Sequence, residues 1–435
     1  MLMVFSQGLV RCARGHGYSL IRAAPDNQEE SDFLSSLEED PNGFDVQIWG
    51  HGNADLPFEI LVGPESKEAF LAELKDKDIE YEIKTENIQE SIDQEKPERY
   101  RHARALTGGR NSNIVSKFLT LDEINAYIQS LAQNYPELVQ VEEIGTSHEN
   151  RPIYVVRVGS GESNKPSIWI DGGIHAREWI AISTVVYMLN KLVTGYSTDA
   201  KIKNLVDKAT WYISPVLNVD GYLYTHTTDR SWRKNRRPAD CAGTGCCSGV
   251  DLNRNFDYSF GGAGRSPEEA SAAAKYPRSC QDTYRGPEAF SEPESRAIRD
   301  FVLKHADTLK GFISVHAYSQ MWFYPFADKR QSYPSDVQEL VALSKKAVQA
   351  MEKVHGTKMR VGTPADIFYP AGGSSLDWVK AVANVKYVFA LELRPGANTQ
   401  GDGFVLPPNK IAPTGEETWA AINVVGDEIV NKYGN

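Results

Sequence analysis

The chain has 435 residues, of which 41% are hydrophobic and 24% are charged, so it has the composition of a globular protein large enough for two domains. No apolar run approaches the roughly 18 residues that suggest a membrane span, and a formal net charge of −11 argues against a nucleic-acid binder. We therefore expect neither a membrane nor a nucleic acid as a partner.

The charge is unevenly distributed. Residues 26–98 carry 22 acidic side chains and 5 lysines, a net of −17, whereas the rest of the chain carries 36 acidic and 42 basic side chains, a net of +6. This asymmetry favours electrostatic complementarity between an acidic segment and a mildly cationic body. A solvated acidic surface would give the same composition.

The first predicted elements form a small α+β unit. Strand composition with alternating apolar residues occurs at 18–22, 58–62 and 79–83, and helical spacing occurs at 29–37 and 67–74. The order of these segments predicts an open sandwich of one sheet and two helices.

A polar stretch follows, with Arg101, Arg104 and Arg110 spaced for cleavage by a trypsin-like protease. An ordinary flexible interdomain linker would have the same composition, and linkers are where proteolytic nicking concentrates.

The larger part of the chain predicts an α/β domain. It opens with a capping box at Thr120–Glu123, and a second capping box at Ser291–Glu294 begins a later helix. Short apolar strands are predicted at 153–158, 167–170, 211–214, 312–315 and 387–391, and helices at 179–192, 291–305 and 336–354. Their alternation predicts a mixed, largely parallel sheet covered by helices on both faces.

Five cysteines are at positions 12, 241, 246, 247 and 280. The four that lie close together favour two disulfides and an oxidising compartment. A zinc ribbon is the competing interpretation, but the sequence has no CxxC pair. The first residues make an unconvincing signal peptide because Gln7 and Arg11 interrupt the apolar run. The cysteines nevertheless favour a secreted, extracellular protein.

A possible metal site lies at a strand-to-helix turn. His175 and Glu178 are three residues apart, after the strand at 167–170 and before the helix that starts near residue 179. Loops at the carboxyl ends of strands line the ligand crevice of α/β proteins. Catalytic zinc usually has three protein ligands and one open position, so a third ligand is expected.

His316 is the best candidate for that ligand, because it also follows an apolar strand. Taken alone, it would more often be a structural histidine. Three other histidines are in polar sequence surroundings without acidic context and are not expected to bind the metal: His148, His226 and His355.

Five motifs, in the same order, resemble the zinc metallocarboxypeptidases of the pancreatic A/B type. They are His175–Glu178, Asp251–Phe256, His316–Gln320, Tyr369–Gly373 and Leu391–Arg394. The resemblance runs from about residue 17 to the C-terminus. It implies an inhibitory activation domain at 17–95, an activation linker at 96–115 and a catalytic domain at 116–435.

The resemblance also implies the catalytic roles. His175, Glu178 and His316 would bind one zinc ion, which polarises the scissile carbonyl and activates a water. Glu392 would be the general base that takes a proton from that water and delivers it to the leaving amine. Arg233 would stabilise the developing oxyanion.

The substrate-binding residues come from the same resemblance. Arg254 and Asn253 would clamp the free carboxylate, a task suited to a planar guanidinium, with Tyr369 closing over the terminal residue. The resemblance further makes Arg177 and Tyr318 substrate contacts, Asp251 the carboxylate that orients His175, and Cys247 and Cys280 a disulfide. Cys241 and Cys246 are then expected to pair with each other.

Specificity depends on the position of Leu376, where family members that release Lys or Arg have an acidic residue. An apolar residue there disfavours burial of a cation, so aromatic or bulky aliphatic C-terminal residues are expected. Ala390, near the same pocket, leaves room for a large ring.

We therefore expect a secreted, monomeric proenzyme of a zinc exopeptidase, activated by a trypsin-like protease and acting on peptide and protein C-termini. A catalytically silent homologue that binds peptides is the alternative, but such a protein would lose a ligand or the base. A zinc endopeptidase is disfavoured because HExxH is absent.

Overall fold

The computed structural model describes residues 15–38, 42–54, 56–95, 114–160, 162, 164–239, 247–262, 278–396 and 402–434. The expected cleavage region with Arg101, Arg104 and Arg110 lies outside these ranges, and so do Cys12, Cys241 and Cys246.

The N-terminal unit is one antiparallel sheet with helices against it. Its strands are β1 (Ser19–Ala24), β2 (Val46–Gly50), β3 (Phe58–Val62) and β4 (Glu80–Thr85), in the spatial order β2-β3-β1-β4. Its helices are α1 (Gln28–Ser36), α2 (Lys67–Asp76) and α3 (Ile88–Glu95). Leu34 of α1 and Phe70 of α2 pack with Ile21 and Ile60 of the sheet in one buried cluster, which confirms the predicted open sandwich.

Two elements of this unit were not predicted. β2 is only five residues long, and its sequence Val-Gln-Ile-Trp-Gly gives a short alternation. α3 has Ile88 and Ile92 as its only apolar residues, too few for a clear helical stripe.

The second unit is built on an eight-stranded mixed sheet in the order β11-β10-β12-β9-β7-β8-β6-β5. Its strands are β5 (Val139–Thr146), β6 (Pro152–Val158), β7 (Ser167–Gly172), β8 (Thr210–Ser214), β9 (Leu309–Ser319), β10 (Met321–Phe323), β11 (Arg360–Gly362) and β12 (Tyr387–Gly396). The four adjacent strands β8, β7, β9 and β12 run parallel to one another. Their carboxyl ends therefore meet at one edge of the sheet.

Helices cover this sheet, as predicted. They are α4 (Leu121–Asn134), α5 (Trp179–Gly195), α6 (Ala200–Lys208), α7 (Val219–Thr227), α8 (Pro293–Lys304), α9 (Val337–His355), α10 (Pro364–Ile367), α11 (Ser375–Ala381) and α12 (Ile411–Tyr433). No helix in the described part of the chain has the length and apolar character to cross a membrane.

The two predicted capping boxes have different outcomes. At α4 the box is present, because the Thr120 hydroxyl accepts from the Glu123 N–H and the Glu123 carboxylate accepts from the Thr120 N–H. At α8 the prediction is wrong, since Glu292 and not Ser291 is the N-cap residue. The Glu294 carboxylate accepts from Asn235 at 2.9 Å instead of turning back to the helix start.

A disulfide joins Cys247 to Cys280, with a Cα–Cα distance of 4.8 Å. It is the pairing that the family resemblance implied. It ties the loop that follows the basic stretch 230–237 to the short 3₁₀ helix Arg278–Cys280.

Candidate active site

Three metal-binding side chains meet at the carboxyl end of the parallel strands. His175 and Glu178 lie in the turn between β7 and α5, and His316 lies in β9, the neighbour of β7. The Nδ1 atom of His175 is 2.7 Å from one Glu178 oxygen, and the Nδ1 atom of His316 is 3.2 Å from the other. The two Nδ1 atoms are 3.3 Å apart. All three side chains are buried, so their donor atoms face one common point.

This donor set fits zinc. Two imidazole nitrogens and one carboxylate oxygen are the ligands of many catalytic zinc sites, which leave a fourth position open. In such a site an ion would be held by His175, Glu178 and His316, whose ligand atoms all lie within 4.8 Å of one another. The fold thus brings together the three residues that the sequence indicates as metal ligands.

A second cluster with metal-binding atoms joins His148, Glu292 and Glu294. In this cluster both glutamate carboxylates already accept hydrogen bonds from other side chains. Asn235 donates to both of them, at 2.8 and 2.9 Å, and Arg237 lies 3.1 Å from Glu292. The prediction that His148 and His355 lack acidic context is wrong, because the Nε2 atom of His148 is 2.7 Å from Glu292 and that of His355 is 2.7 Å from Glu416.

Asp251 connects the metal site to Arg233. One Asp251 oxygen is 3.1 Å from His175 Nε2, and the other accepts from Arg233 Nε and Nη2 at 3.0 and 2.8 Å. Burial raises the pKa of Asp251, but Arg233 and His175 outweigh this and hold it well below its usual range. The carboxylate therefore stays charged and fixes which His175 nitrogen is free for a metal.

Arg254, Asn253 and Tyr369 form the next part of the cleft. Arg254 Nη2 donates to the Tyr369 hydroxyl at 2.9 Å. The Asn253 oxygen accepts from the Ser375 N–H and hydroxyl at 2.9 and 3.1 Å, so its NH2 group is the end left for another partner. Gly373 has a positive φ, and a side chain there would collide with the carbonyl of Arg254.

Glu392 lies on β12 directly beside His316 in the strand register. Burial, and then the charge of Glu178, raise its pKa to about 8, against the opposing effect of His316, Arg233 and Arg254. Glu392 lines the same cleft as the three metal-binding residues. Its perturbed pKa is typical of a group that exchanges protons during catalysis.

The remaining predicted site residues also line this cleft. Leu376 is only 3% exposed. Arg177 donates to Asp282 at 3.2 Å and lies 4.3 Å above the Phe404 ring. The Tyr318 hydroxyl donates to Glu59 of β3 at 2.5 Å, so in this structure its partner belongs to the N-terminal unit.

The N-terminal unit closes the cleft with residues that sequence reasoning missed. Glu38, Ile48, Trp49 and His51 line it together with the predicted site. The His51 ring packs on Tyr369 with centroids 4.1 Å apart. The only sequence signal for this contact was the excess of acidic residues in the segment, which did not identify any one residue.

The pKa values of Glu38 and His51 are shifted by burial and by nearby arginines. Burial raises the pKa of Glu38 to about 7, although Arg254 and Arg233 oppose the shift. Burial and the same two arginines lower the pKa of His51 to about 3. The two side chains lie 3.6 Å apart. An acidic group of the N-terminal unit therefore lies in the electrostatic field of Arg254 and Arg233.

A mixed α/β sheet has a buried His-Glu-His cluster at the carboxyl ends of its parallel strands and a glutamate of raised pKa beside that cluster. This combination is that of a metal-dependent hydrolase. A zinc carboxypeptidase profile matches residues 124–421, and a carboxypeptidase activation peptide profile matches residues 21–95. The chain belongs to the zinc carboxypeptidase family and is a procarboxypeptidase-like metallocarboxypeptidase with an activation peptide.

Individual relatives agree with this assignment. Carboxypeptidase B of Astacus astacus is 42% identical over 312 residues, covering 72% of this chain and 97% of the relative. Carboxypeptidase A2 of Rattus norvegicus is 35% identical and covers 99% of this chain and 98% of the relative. The crystal structure of carboxypeptidase A from Helicoverpa armigera superimposes with a TM-score of 0.83 at 28% identity, covering 97% of this chain and 99% of that structure.

Proposed function

We propose that this chain is the secreted, monomeric proenzyme of an exopeptidase that releases aromatic or bulky aliphatic C-terminal residues. In this proposal residues 17–95 are the inhibitory domain, 96–115 the activation linker and 116–435 the catalytic domain. A trypsin-like protease cleaves the linker.

The observation that carries the proposal is the position of a carboxylate clamp beside the metal-binding residues. Arg254 and Asn253 line one cleft with His175, Glu178 and His316. The guanidinium of Arg254 and the free NH2 of Asn253 can bind a carboxylate through charge-assisted hydrogen bonds. A clamp of this kind selects the free end of a peptide, and an endopeptidase has no use for it.

In this proposal the metal site, Glu392 and Arg233 each have a separate role in the hydrolysis of the peptide bond. His175, Glu178 and His316 would hold a zinc ion, which would supply Lewis-acid polarisation of a carbonyl and a lowered pKa for water. Glu392 in its ionised form takes a proton from the attacking water and returns it to the leaving amine. Arg233, held by Asp251, presents a fixed positive charge to the carbonyl oxygen as charge develops on it.

The pocket for the terminal side chain supports A-type specificity. Its apolar wall comprises Phe323, Ala327, Pro364, Phe368, Ala371, Leu376 and Ala390. A Lys or Arg side chain would be buried against this wall without a counter-ion at position 376. B-type specificity is the second candidate, because the relative from Astacus astacus is named carboxypeptidase B.

The inhibited state follows from the contacts of the N-terminal unit. Trp49 packs on Phe404 with centroids 5.3 Å apart, and Tyr318 is held by Glu59. Trp49, Phe404 and Tyr318 all line the cleft, so in this proposal the N-terminal unit occupies part of the space that a peptide substrate would need.

One experiment tests enzyme class, activation and specificity together. The purified chain is treated with trypsin, and hydrolysis of blocked dipeptides ending in Phe, Leu, Lys or Arg is followed with and without a zinc chelator. We expect activity only after cleavage, loss of activity with chelator, and faster release of Phe and Leu. If Lys or Arg is released faster, the A-type assignment is wrong. If no residue is released in a chelator-sensitive way, the protein is a silent homologue.

A further inference from the structure

The far side of the His316 ring is connected to a buried carboxylate through one hydroxyl group. Ser314 precedes His316 by two residues on β9, so both side chains point to the same face of the sheet. The Ser314 hydroxyl is 3.0 Å from His316 Nε2 and 2.8 Å from Asp171 Oδ1. Asp171 lies directly opposite Ser314 on the neighbouring strand β7.

The hydrogen positions in this chain of contacts follow from a count of donors. An ionised carboxylate only accepts hydrogen bonds, and a serine hydroxyl has one hydrogen to give. Ser314 therefore donates to Asp171 and accepts from the Nε2–H of His316. With its proton on Nε2, the neutral imidazole has its free lone pair on Nδ1, the atom that faces Glu178 and His175.

Asp171 is suited to this task because it is fixed and buried. It is 1% exposed, and its second oxygen accepts from Trp169 Nε1 at 2.7 Å. Within the described ranges no lysine or arginine forms an ion pair with Asp171. Its carboxylate charge therefore acts on the hydrogen bond to Ser314 without a competing ion pair. Asp251, in contrast, is shared between His175 and Arg233.

We propose that Ser314 and Asp171 are positioning residues of the zinc site, which set the tautomer and the ring orientation of His316. The inference rests on the proposed function of His316 as a metal ligand. The two histidines would then be oriented in different ways. His175 contacts the Asp251 carboxylate directly, and His316 is linked to the Asp171 carboxylate through the Ser314 hydroxyl. Hydrogen-bond partners behind metal ligands typically change metal affinity by about 10- to 100-fold when they are removed.

The test compares two buried hydroxyl deletions in the full-length chain. Ser314→Ala removes the proposed bridge. Ser344→Ala is the matched control, because Ser344 is fully buried in α9 and its hydroxyl has no hydrogen-bond partner among the described residues. Each protein is stripped of metal, and its affinity for Zn²⁺ is measured by competition with a chromogenic chelator. Thermal unfolding is recorded with and without Zn²⁺.

We expect Ser314→Ala to bind Zn²⁺ roughly 10-fold more weakly than the parent and to gain less in melting temperature when Zn²⁺ is added. Ser344→Ala should bind as the parent does. Ser314→Thr keeps a hydroxyl and should regain most of the affinity, even if the metal-free protein melts at a lower temperature.

Two results would overturn the inference: unchanged Zn²⁺ affinity in Ser314→Ala, or an equal loss in Ser344→Ala. If the parent itself takes up no Zn²⁺, the proposed function fails instead, so the two failures can be distinguished.

Discussion

Glu95 and Arg230 form a buried two-point ion pair between the end of α3 and the catalytic part of the chain. Arg230 Nε is 2.7 Å from one Glu95 oxygen, and Arg230 Nη2 is 3.0 Å from the other. The guanidinium lies 3.8 Å above the ring of Trp179, the residue next to Glu178. The last residue of the activation segment is thus anchored beside the metal site, just before the region where cleavage is expected.

Breaking this pair should loosen the activation segment. Glu95→Gln leaves the Arg230 charge buried without its ionic partner, which costs about 3–5 kcal/mol when both groups are desolvated. We expect the uncleaved variant to hydrolyse a blocked dipeptide at least about 10-fold faster than the uncleaved parent, since each 1.4 kcal/mol is a factor of ten. Initial rates measured before any protease is added check this.

Glu90→Gln is the control, since Glu90 is on the same helix but exposed. It should leave the uncleaved chain as inactive as the parent. Equal rates for Glu95→Gln and the parent would show that other contacts, such as that between Tyr318 and Glu59, suffice to hold the segment.

Removing the general base should separate catalysis from metal binding. Glu392→Gln keeps the size of the side chain and removes its ability to accept a proton. We expect kcat of the activated enzyme to fall by at least about 100-fold, while Zn²⁺ affinity stays within a few-fold of the parent. A variant that retained more than a tenth of parent activity would exclude Glu392 as the base.

The pH dependence of activity should follow the ionisation of Glu392. Only the carboxylate accepts a proton, so kcat/KM should rise as the pH increases through the pKa of Glu392. Burial and Glu178 raise that pKa to about 8, and a bound Zn²⁺ would lower it because it favours the charged form. The acidic limb of the kcat/KM profile should therefore have its midpoint below pH 8, and a midpoint above this value would contradict the assignment.

Leu376 should decide the choice of terminal residue. Leu376→Asp places a carboxylate in the apolar pocket, where a basic side chain can pair with it. We expect the ratio of kcat/KM for C-terminal Arg over Phe to rise by roughly 100-fold. Leu376→Asn has the same size without the charge, and should reduce activity on Phe without creating activity on Arg. If both variants respond alike, size and not charge controls the pocket.

The sequence predicts the site better than it predicts the surroundings of the site. Apolar strands and a joint set of motifs identify His175, Glu178 and His316, because a predicted apolar strand immediately precedes the His175–Glu178 turn and another precedes His316. In the structure the second strand is longer, and His316 lies within it. Glu38 and His51 carry no such local signal, since their role depends on how one unit lies on the other. The capping box predicted at Ser291–Glu294 is wrong for the same reason. The Glu294 carboxylate accepts a hydrogen bond from Asn235, 59 residues away, which a rule based on local sequence does not take into account.

His148 pairs with a glutamate that is distant in the sequence, and this pair leads to a prediction about the free energy of unfolding. Its Nε2 atom contacts Glu292, a residue 144 positions away whose side chain is fully buried. Burial lowers the pKa of His148, but the hydrogen bond to Glu292 and the charge of Glu294 outweigh this and raise it. Burial raises the pKa of Glu292, and hydrogen bonds from His148, Ser291 and Asn235 outweigh that effect and lower it.

Because of these two pKa shifts, the His148–Glu292 ion pair stabilises the fold only over a limited range of pH. A raised histidine pKa stabilises the fold fully below the unfolded value of about 6.5, and this is lost as the pH rises through the folded value. A lowered glutamate pKa stabilises the fold above about 4.3, and this is lost as the pH falls through the folded value. The stability lost in His148→Gln should therefore be largest near pH 5 to 6 and smaller at pH 9.

Urea unfolding of the parent and of His148→Gln at pH 5.5, 7 and 9 measures that difference. His355→Gln is the control, because His355 forms a pair of the same chemistry with Glu416 at 2.7 Å, but its side chain is 35% exposed and that of Glu416 46%. An exposed pair is worth less than about 1 kcal/mol, so the control should lose little stability at any of the three pH values. If the loss in His148→Gln is the same at pH 5.5 and pH 9, His148 stabilises the fold as a neutral hydrogen-bonding group and not as half of an ion pair.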